Sequence, residues 1–142
     1  MMKARRFDPK KEYPIASKRP DLIKTITGIE YKDLTLENLI SGKIDVQEIR
    51  ISPETLEFQA QVAEKHGRPQ LALNFRRAAE LTRIPDEEVL KIYHALRPGR
   101  STKEELMRIA EELIKKYQAK LNAAFIREAV KIYEKRNLLK KG

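Results

Sequence analysis

The sequence predicts an all-α protein in which an irregular, extended N-terminal arm precedes a compact domain of several helices. Apolar residues recur at helical spacing from about residue 52 onward. Capping residues and prolines stand at the start of these stretches, and glycine or proline ends several of them. Residues 1–32 hold three of the seven prolines and show no periodicity. We therefore expect an arm over 1–32 and a helical domain over 33–142.

The arm contains apolar side chains that a solvated segment would not need. Those most suited to burial are Tyr13, Ile15, Leu22 and Ile26. Side chains of this kind contribute roughly 1.5–3 kcal/mol each when they leave water. The arm is therefore expected to dock, either on the core of its own chain or on a partner, and these four residues are interface candidates.

Two short helical turns are predicted after the arm. Thr35 can cap a turn over 36–41, and Gly42 can end it. Asp45, with Glu48 three residues later, has the spacing of a capping box and predicts a second turn.

The first two long helices have clear boundaries. Ser52 as N-cap, with Pro53 at the first helical position, predicts a start, and Gly67 predicts the end. Pro69 begins the next helix, whose apolar face follows the helical period. Its predicted members are Leu71, Ala72, Phe75, Ala78, Ala79 and Thr82.

A third helix is predicted between Pro85 and the Pro98–Gly99 pair. The acidic residues 86–88 favour the positive end of a helix dipole. The apolar stripe of this helix comprises Val89, Ile92, Tyr93 and Leu96.

The last part of the chain has no glycine or proline from 103 to 139. Ser101 and Glu104 predict a capping box at its start. The first predicted buried face comprises Leu106, Ile109, Ala110, Leu113 and Tyr117, and the second Ile126, Ala129, Val130 and Tyr133. Because the second face points about half a turn away from the first, we expect a bend or two helices meeting near 120–123, or one long helix that changes its packing partner there.

Composition limits the classes of function. The chain has 142 residues, no cysteine and a net charge of +9, with 41% hydrophobic and 36% charged residues. It contains no apolar run near the roughly 20 residues of a membrane span. The positive charge favours a polyanion or an acidic protein surface as partner. Abundant Lys and Glu without Cys is also a pattern of heat-adapted proteins.

No constellation of catalytic, cofactor-binding or metal-ligating residues is recognisable. Metal sites need clustered ligands, but the two histidines, His66 and His94, fall on different predicted elements. The serines Ser52 and Ser101 stand where helix caps are needed, and no G-x-S-x-G elbow or glycine-rich phosphate loop occurs. We therefore predict no catalytic, cofactor or metal residue in this chain.

Four arginines are further interface candidates: Arg76, Arg77, Arg97 and Arg100. Guanidinium groups suit bidentate contacts with carboxylates across an interface. Two simpler roles stay open. Arg97 would favour the carbonyl end of the preceding helix, and Arg76 and Arg77 would lie on a solvated face or bind phosphate.

Four stretches, in order and at the expected spacing, resemble the small subunit of adenosylcobalamin-dependent diol and glycerol dehydratases. They cover nearly the whole chain, and the third is the most specific. The stretches are YPIASKRP (13–20), DLTLENLISGKIDVQEIRISPETLEFQAQVAEKHGR (33–68), NFRRAAELTRIPDEEVLKIYHALRPGRSTKEEL (74–106) and YQAKLNAAFIREAVKIYEKRNLL (117–139).

The resemblance implies a structural subunit. Its partners would be a large (β/α)8-barrel subunit and a medium subunit, in a dimer of heterotrimers. The complex would convert glycerol or 1,2-diols to aldehydes by a radical route with loss of water. Adenosylcobalamin would lie between the large and medium subunits, so this chain would supply neither a cofactor ligand nor a catalytic group.

Two features depart from the family pattern. Position 99 is glycine where the family usually has an aromatic residue. The part before Tyr13 is short and basic, unlike the extension that targets some diol dehydratases to bacterial microcompartments, so a cytoplasmic enzyme of the glycerol dehydratase type is expected. The alternative function is a basic helical nucleic-acid-binding module, which the interleaving of acidic and basic residues on the predicted helices disfavours.

Overall fold

The computed structural model describes residues 7–141, and the all-α prediction is confirmed. Within them lie seven α-helices and three short 3-10 turns, without a β-strand. The helices are α1 (Ile15–Lys18), α2 (Leu36–Ile40), α3 (Pro53–Lys65), α4 (Pro69–Leu81), α5 (Asp86–Ala95), α6 (Lys103–Tyr117) and α7 (Lys120–Arg136). The 3-10 turns are Pro20–Leu22, Tyr31–Asp33 and Val46–Ile49. The chain divides into two compact units, residues 1–79 and residues 80–142.

In the first unit, the arm packs on α3. Phe7, Ile15 and Val62 form a buried cluster, against which Leu22 and Phe58 pack. The rings of Phe7 and Phe58 lie 5.1 Å apart, a distance typical of favourable aromatic pairs. Part of the predicted arm therefore belongs to the core of its own unit.

A buried arginine holds the arm in a fixed path. The side chain of Arg19 is only 8% exposed and pairs with Glu12 at 2.7 Å and with Asp21 at 2.9 Å. The hydrogen bonds that Arg19 donates to Asp21 and Glu12 raise the pKa of its guanidinium group above the ordinary value. Because a buried charge is tolerated only when it is paired, these two ion pairs account for the buried position of Arg19 between α1 and the turn Pro20–Leu22.

Helices α3 and α4 approach closely where their residues are small. Ala60, Ala63 and Ala72 are buried together. Outside this contact, Arg76 of α4 reaches back to α3, with Nε 3.1 Å from Glu57 and Nη2 3.0 Å from Glu64. These hydrogen bonds raise the pKa of Arg76 and lower that of Glu64.

The predicted boundaries of α2 to α5 are confirmed. Thr35 accepts from the N–H of Asn38, and Ser52 accepts from that of Thr55 with Pro53 at the first position. Gly67 follows α3 with φ of +72°, a left-handed conformation that glycine adopts without strain. Asp45 begins a 3-10 turn, but the capping box predicted there is wrong: Asp45 accepts from the N–H of Gln47, and Glu48 accepts from the hydroxyl of Thr27.

The second unit has one continuous core. It is formed mainly where α6 and α7 pack together, and Leu106 and Ile126 are its largest fully buried side chains. Its buried members are Ile84, Leu106, Ala110, Leu113, Ala119, Ala123, Ile126 and Val130. The apolar faces predicted for these two helices are therefore largely correct.

The expected break in the last part of the chain separates two helices. Gln118 ends α6 in the left-handed conformation, with φ of 54°. Buried Glu80 then caps α7, because its two oxygens accept the backbone N–H groups of Leu121 and Asn122, each at 2.9 Å. This cap satisfies two of the N–H groups that a helix start leaves without intrahelical partners.

The predicted capping box at Ser101 and Glu104 is wrong by one residue. Thr102 accepts from the N–H of Glu105, whose carboxylate accepts from the N–H of Thr102. Ser101 is buried and donates to the carbonyl of Ala95 at 2.8 Å. Ser101 therefore stabilises the end of α5, and its neighbour takes the N-cap of α6.

Three members of the predicted apolar faces lie outside the core. Leu71 is 39% exposed and Tyr93 is 65% exposed. Thr82 is exposed and follows the last residue of α4. Periodicity identified the helices correctly but not the width of the buried stripe on each.

Candidate partner-docking surface

Exposed apolar side chains concentrate in one segment of the first unit, residues 26–51. Eight of the fourteen large hydrophobic side chains exposed among residues 7–141 lie there. They are Ile26, Tyr31, Leu34, Leu36, Ile40, Val46, Ile49 and Ile51. Isolated exposed apolar residues are ordinary, whereas concentrated ones mark interaction sites. We call this set the 26–51 apolar surface.

Local hydrogen bonds hold the backbone of this surface. Asn38 donates from its side chain to the carbonyl of Asp33 at 2.7 Å. The N–H of Ile44 bonds the carbonyl of Asn38 at 3.2 Å, and the Ile44 side chain is buried. Helix α2 and the turn Val46–Ile49 are too short to bury apolar residues on every side. Leu36, 68% exposed, and Ile40, 78% exposed, therefore point into solvent.

A groove of about 550 Å³ is lined by this segment together with residues just before and after it, from Ile23 to Thr55. Its apolar lining residues are Ile23, Leu34, Leu36, Leu39, Ile44, Ile49 and Ile51. Polar lining residues, among them Thr25 and Ser52, make the remaining wall. The groove offers apolar contact area that a segment of another protein can cover.

The charges around the groove nearly cancel. Residues 24–51 contain four basic and five acidic side chains, although the whole chain has a net charge of +9. Glu30 and Lys32 pair at 2.9 Å. The hydrogen bond that Lys32 donates to Glu30 lowers the pKa of Glu30 and raises the pKa of Lys32. This surface therefore suits an apolar partner without strong charge.

The four interface candidates of the arm separate into two pairs. Ile15 is 4% exposed, and Leu22 packs against the same cluster inside its own unit. Tyr13 is 45% exposed, with its ring 6.2 Å from that of His66. Ile26 is 62% exposed and belongs to the 26–51 apolar surface.

The four arginine candidates have different surroundings. Arg76 is engaged with Glu57 and Glu64 of its own unit. Arg77 donates to the side chain of Asn74 at 3.1 Å. Arg97 and Arg100 are exposed on the loop after α5, whose Gly99 has φ of +75° and donates its N–H to the carbonyl of Leu138 at 2.7 Å.

The two histidines occupy ordinary surface positions. Nδ1 of His66 lies 2.8 Å from the carbonyl of Val62 in its own helix. His94 is exposed beside the ring of Tyr93. Neither histidine lines the groove. Over residues 7–141, no group of three metal-ligating side chains comes together, and no helix has the length and apolar character to span a membrane.

Sequence reasoning missed most of the 26–51 apolar surface. Leu36, Ile40 and Val46 were assigned only to short turns, although apolar residues recur on several sides of those turns. A helix of five residues with three apolar ones cannot bury them all against one neighbour. That excess of apolar residues was the available signal.

Comparison with known proteins places these features in a family. A family model described as "Dehydratase small subunit" matches residues 9–140. The chain is 54% identical over 129 residues to the propanediol dehydratase small subunit of Citrobacter freundii. It has the same identity, over the same length, to the propanediol dehydratase small subunit of Salmonella typhimurium. Each alignment covers 91% of this chain and 75% of the relative.

Proposed function

Because the chain belongs to the dehydratase small-subunit family, we propose that it is the small, structural subunit of a diol dehydratase. The complex removes water from a 1,2-diol, with glycerol or propane-1,2-diol as substrate, and yields an aldehyde. The observation that carries this proposal is the 54% identity, over 91% of the chain, to small subunits of propanediol dehydratases.

The catalytic chemistry belongs to the other subunits in this proposal. Adenosylcobalamin supplies the radical when it is bound between the large and medium subunits. The small subunit contributes no ligand to the cofactor and no catalytic group. The identity to the small subunits of two propanediol dehydratases supports this division of roles.

The proposed partners are the large and medium subunits, in a dimer of heterotrimers. The 26–51 apolar surface takes an apolar, weakly charged segment of one of them. Its near-neutral charge and its groove support this choice of occupant.

We place the complex in the cytoplasm, which the absence of cysteine suits. The Lys- and Glu-rich composition supports a heat-adapted source.

Reconstitution tests the proposed function. The purified chain alone is expected to show no dehydratase activity and to bind no adenosylcobalamin. Mixed with the large and medium subunits, it should co-elute with them, and activity should appear. Full turnover by the other two subunits without this chain, together with no co-elution, would refute the proposal.

Polar substitutions test the docking surface separately. Leu36→Ser and Ile49→Ser, at two exposed residues that line the groove, should raise the apparent Kd for the partner subunits at least tenfold, because contacts at a buried interface centre carry most of the affinity. Leu71→Ser is the matched control, since Leu71 is an exposed apolar residue that does not line the groove. Equal assembly of all three variants would place the interface elsewhere on the chain.

A further inference from the structure

The loop between α5 and α6 begins with a tight turn that has an arginine at each end. The N–H of Arg100 donates to the carbonyl of Arg97 at 3.2 Å. Pro98 occupies the second position of this turn, and Gly99 occupies the third with φ of +75°. This is the pattern of a type II β-turn, whose first and last Cα atoms lie within about 7 Å of each other. Arg97 and Arg100 are therefore close in space, and both are exposed.

The segment that follows α7 is bonded to this turn. The N–H of Gly99 donates to the carbonyl of Leu138 at 2.7 Å, and the N–H of Lys140 donates to the carbonyl of Ser101 at 2.9 Å. Two backbone hydrogen bonds therefore hold residues 138–140 against the loop. Lys140 is fixed beside the residue that directly follows Arg100.

Four exposed cations occupy the turn and the segment bonded to it. We call them the 97/140 cluster: Arg97, Arg100, Lys140 and Lys141. Within residues 7–141, none of the four forms an ion pair. The stretches 97–103 and 135–141 together contain seven basic side chains and no acidic one. The cluster therefore produces a local positive field that acidic groups of a ligand can neutralise.

The acidic residues nearest to the cluster along the chain act elsewhere. Glu134 pairs with Lys103 at 2.7 Å, and Glu105 accepts from the N–H of Thr102 in the capping box. The hydrogen bond that Lys103 donates to Glu134, together with the charges of Glu134 and Glu104, raises the pKa of Lys103. These acids therefore act on Lys103 and on the start of α6, and the four cations of the cluster keep their charge.

We propose that the 97/140 cluster binds carboxylate side chains of a partner dehydratase subunit. The guanidinium groups of Arg97 and Arg100 donate paired hydrogen bonds to these carboxylates, for which the arginine fork is suited, and the two lysines neutralise further charge. Because backbone hydrogen bonds fix the turn and the segment after α7 to each other, less order has to be gained on binding. The inference rests on the proposed function, and it names a docking surface that differs in charge from the 26–51 apolar surface.

A protein that bears carboxylates fits the cluster better than a nucleic acid does. A duplex presents phosphates along its whole length, and tight binding uses roughly six to ten cations placed along that path. Here the exposed acids Glu104, Glu105 and Glu134 stand at the two helix ends next to the cluster and would repel an extended phosphate backbone. The family is described as a subunit, which implies a protein partner, and arginine is enriched at protein interfaces.

Removal of charge from the cluster tests the proposal in the assembled complex. The quadruple variant Arg97→Gln, Arg100→Gln, Lys140→Gln, Lys141→Gln should raise the apparent Kd for the large and medium subunits at least tenfold in about 0.1 M salt. The salt dependence of this Kd should also become weaker than that of the wild-type chain.

A matched control variant removes the charges of two arginines and two lysines at exposed positions of α6 and α7. It is Arg108→Gln, Lys115→Gln, Arg127→Gln, Lys131→Gln, and it should change the apparent Kd less than threefold. Both variants should keep the helicity and Tm of the wild-type chain, because every substituted side chain is exposed.

A second measurement uses the unchanged chain and so does not depend on the folding of a variant. A carbodiimide joins a lysine amine directly to a carboxylate that it contacts. In the assembled complex, Lys140 or Lys141 should become coupled to an aspartate or glutamate of a partner subunit. Coupling to the partner at Lys115 or Lys131, with none at Lys140 and Lys141, would overturn the proposal.

The outcomes separate this inference from the proposed function. If the wild-type chain does not assemble with the large and medium subunits, the proposed function and this inference both fail. If it assembles and the cluster variant assembles as tightly, or the control variant loses as much affinity, only this inference fails. If the cluster variant instead loses tight binding to a short DNA duplex with assembly unchanged, the cluster binds nucleic acid and the inference is overturned.

Discussion

The two units of the chain use their apolar residues differently. The second unit buries Leu106 and Ile126 in one core formed mainly by two long helices. The first unit divides its buried residues between two small clusters, and it leaves eight large apolar side chains exposed over 26–51. The second unit thus resembles a self-sufficient helical domain, and the first has the composition of a surface that a partner completes.

The largest expected effect on stability lies in the core of the second unit. Leu106→Ala should lower the free energy of unfolding by about 2–5 kcal/mol, because it removes a fully buried side chain and leaves a cavity. Leu36→Ala, at a side chain that is 68% exposed, should change it by less than about 0.5 kcal/mol. Denaturant unfolding of both variants measures the difference. Similar losses would contradict the contrast between the two units.

The accuracy of the sequence predictions follows the same contrast. The boundaries of α3 were predictable because Ser52, Pro53 and Gly67 act on their immediate neighbours. The N-cap of α6 was not predictable from the sequence, because both Ser101 and Thr102 have a glutamate three residues later. The choice between them depends on the carbonyl of Ala95, which only the folded chain brings near.

The candidate surfaces depended still more on tertiary structure. Tyr93 matches the apolar stripe of α5, yet the fold leaves it exposed. Ile15 was expected to dock on its own core or on a partner, and only the structure shows that it is buried inside its own unit. Periodicity identifies which residues lie on one face of a helix, but not which part of that face finds a neighbour.

A second prediction concerns the polar contact that begins α7. Glu80→Ala should destabilise the chain by about 1.5–3 kcal/mol, because it removes a buried carboxylate and leaves the N–H groups of Leu121 and Asn122 without their acceptor. Glu80→Gln is the matched control and should cost less, since its amide oxygen still accepts one of them. A thermal melt distinguishes the two variants. Equal Tm values for Glu80→Ala and the wild-type chain would show that α7 does not depend on this cap.

The smallest expected effects compare helix caps in the two units. Thr102→Ala should cost about 0.5–2 kcal/mol, since Thr102 and Glu105 form a reciprocal capping box at the start of a fifteen-residue helix. Thr35→Ala removes one bond from a five-residue helix in the exposed 26–51 segment and should fall at the low end of that range. Ser101→Ala should also destabilise the chain, but at the end of α5, where the carbonyl of Ala95 loses its donor.

Amide hydrogen exchange separates these three variants because it reports the stability of each helix. Thr102→Ala should speed exchange in the first turn of α6, and Ser101→Ala should speed it at the end of α5. If Thr35→Ala lowered the free energy of unfolding more than Thr102→Ala did, the first unit would depend on local capping more than its burial suggests. The 26–51 segment would then be a stable folded element by itself and not a surface that a partner completes.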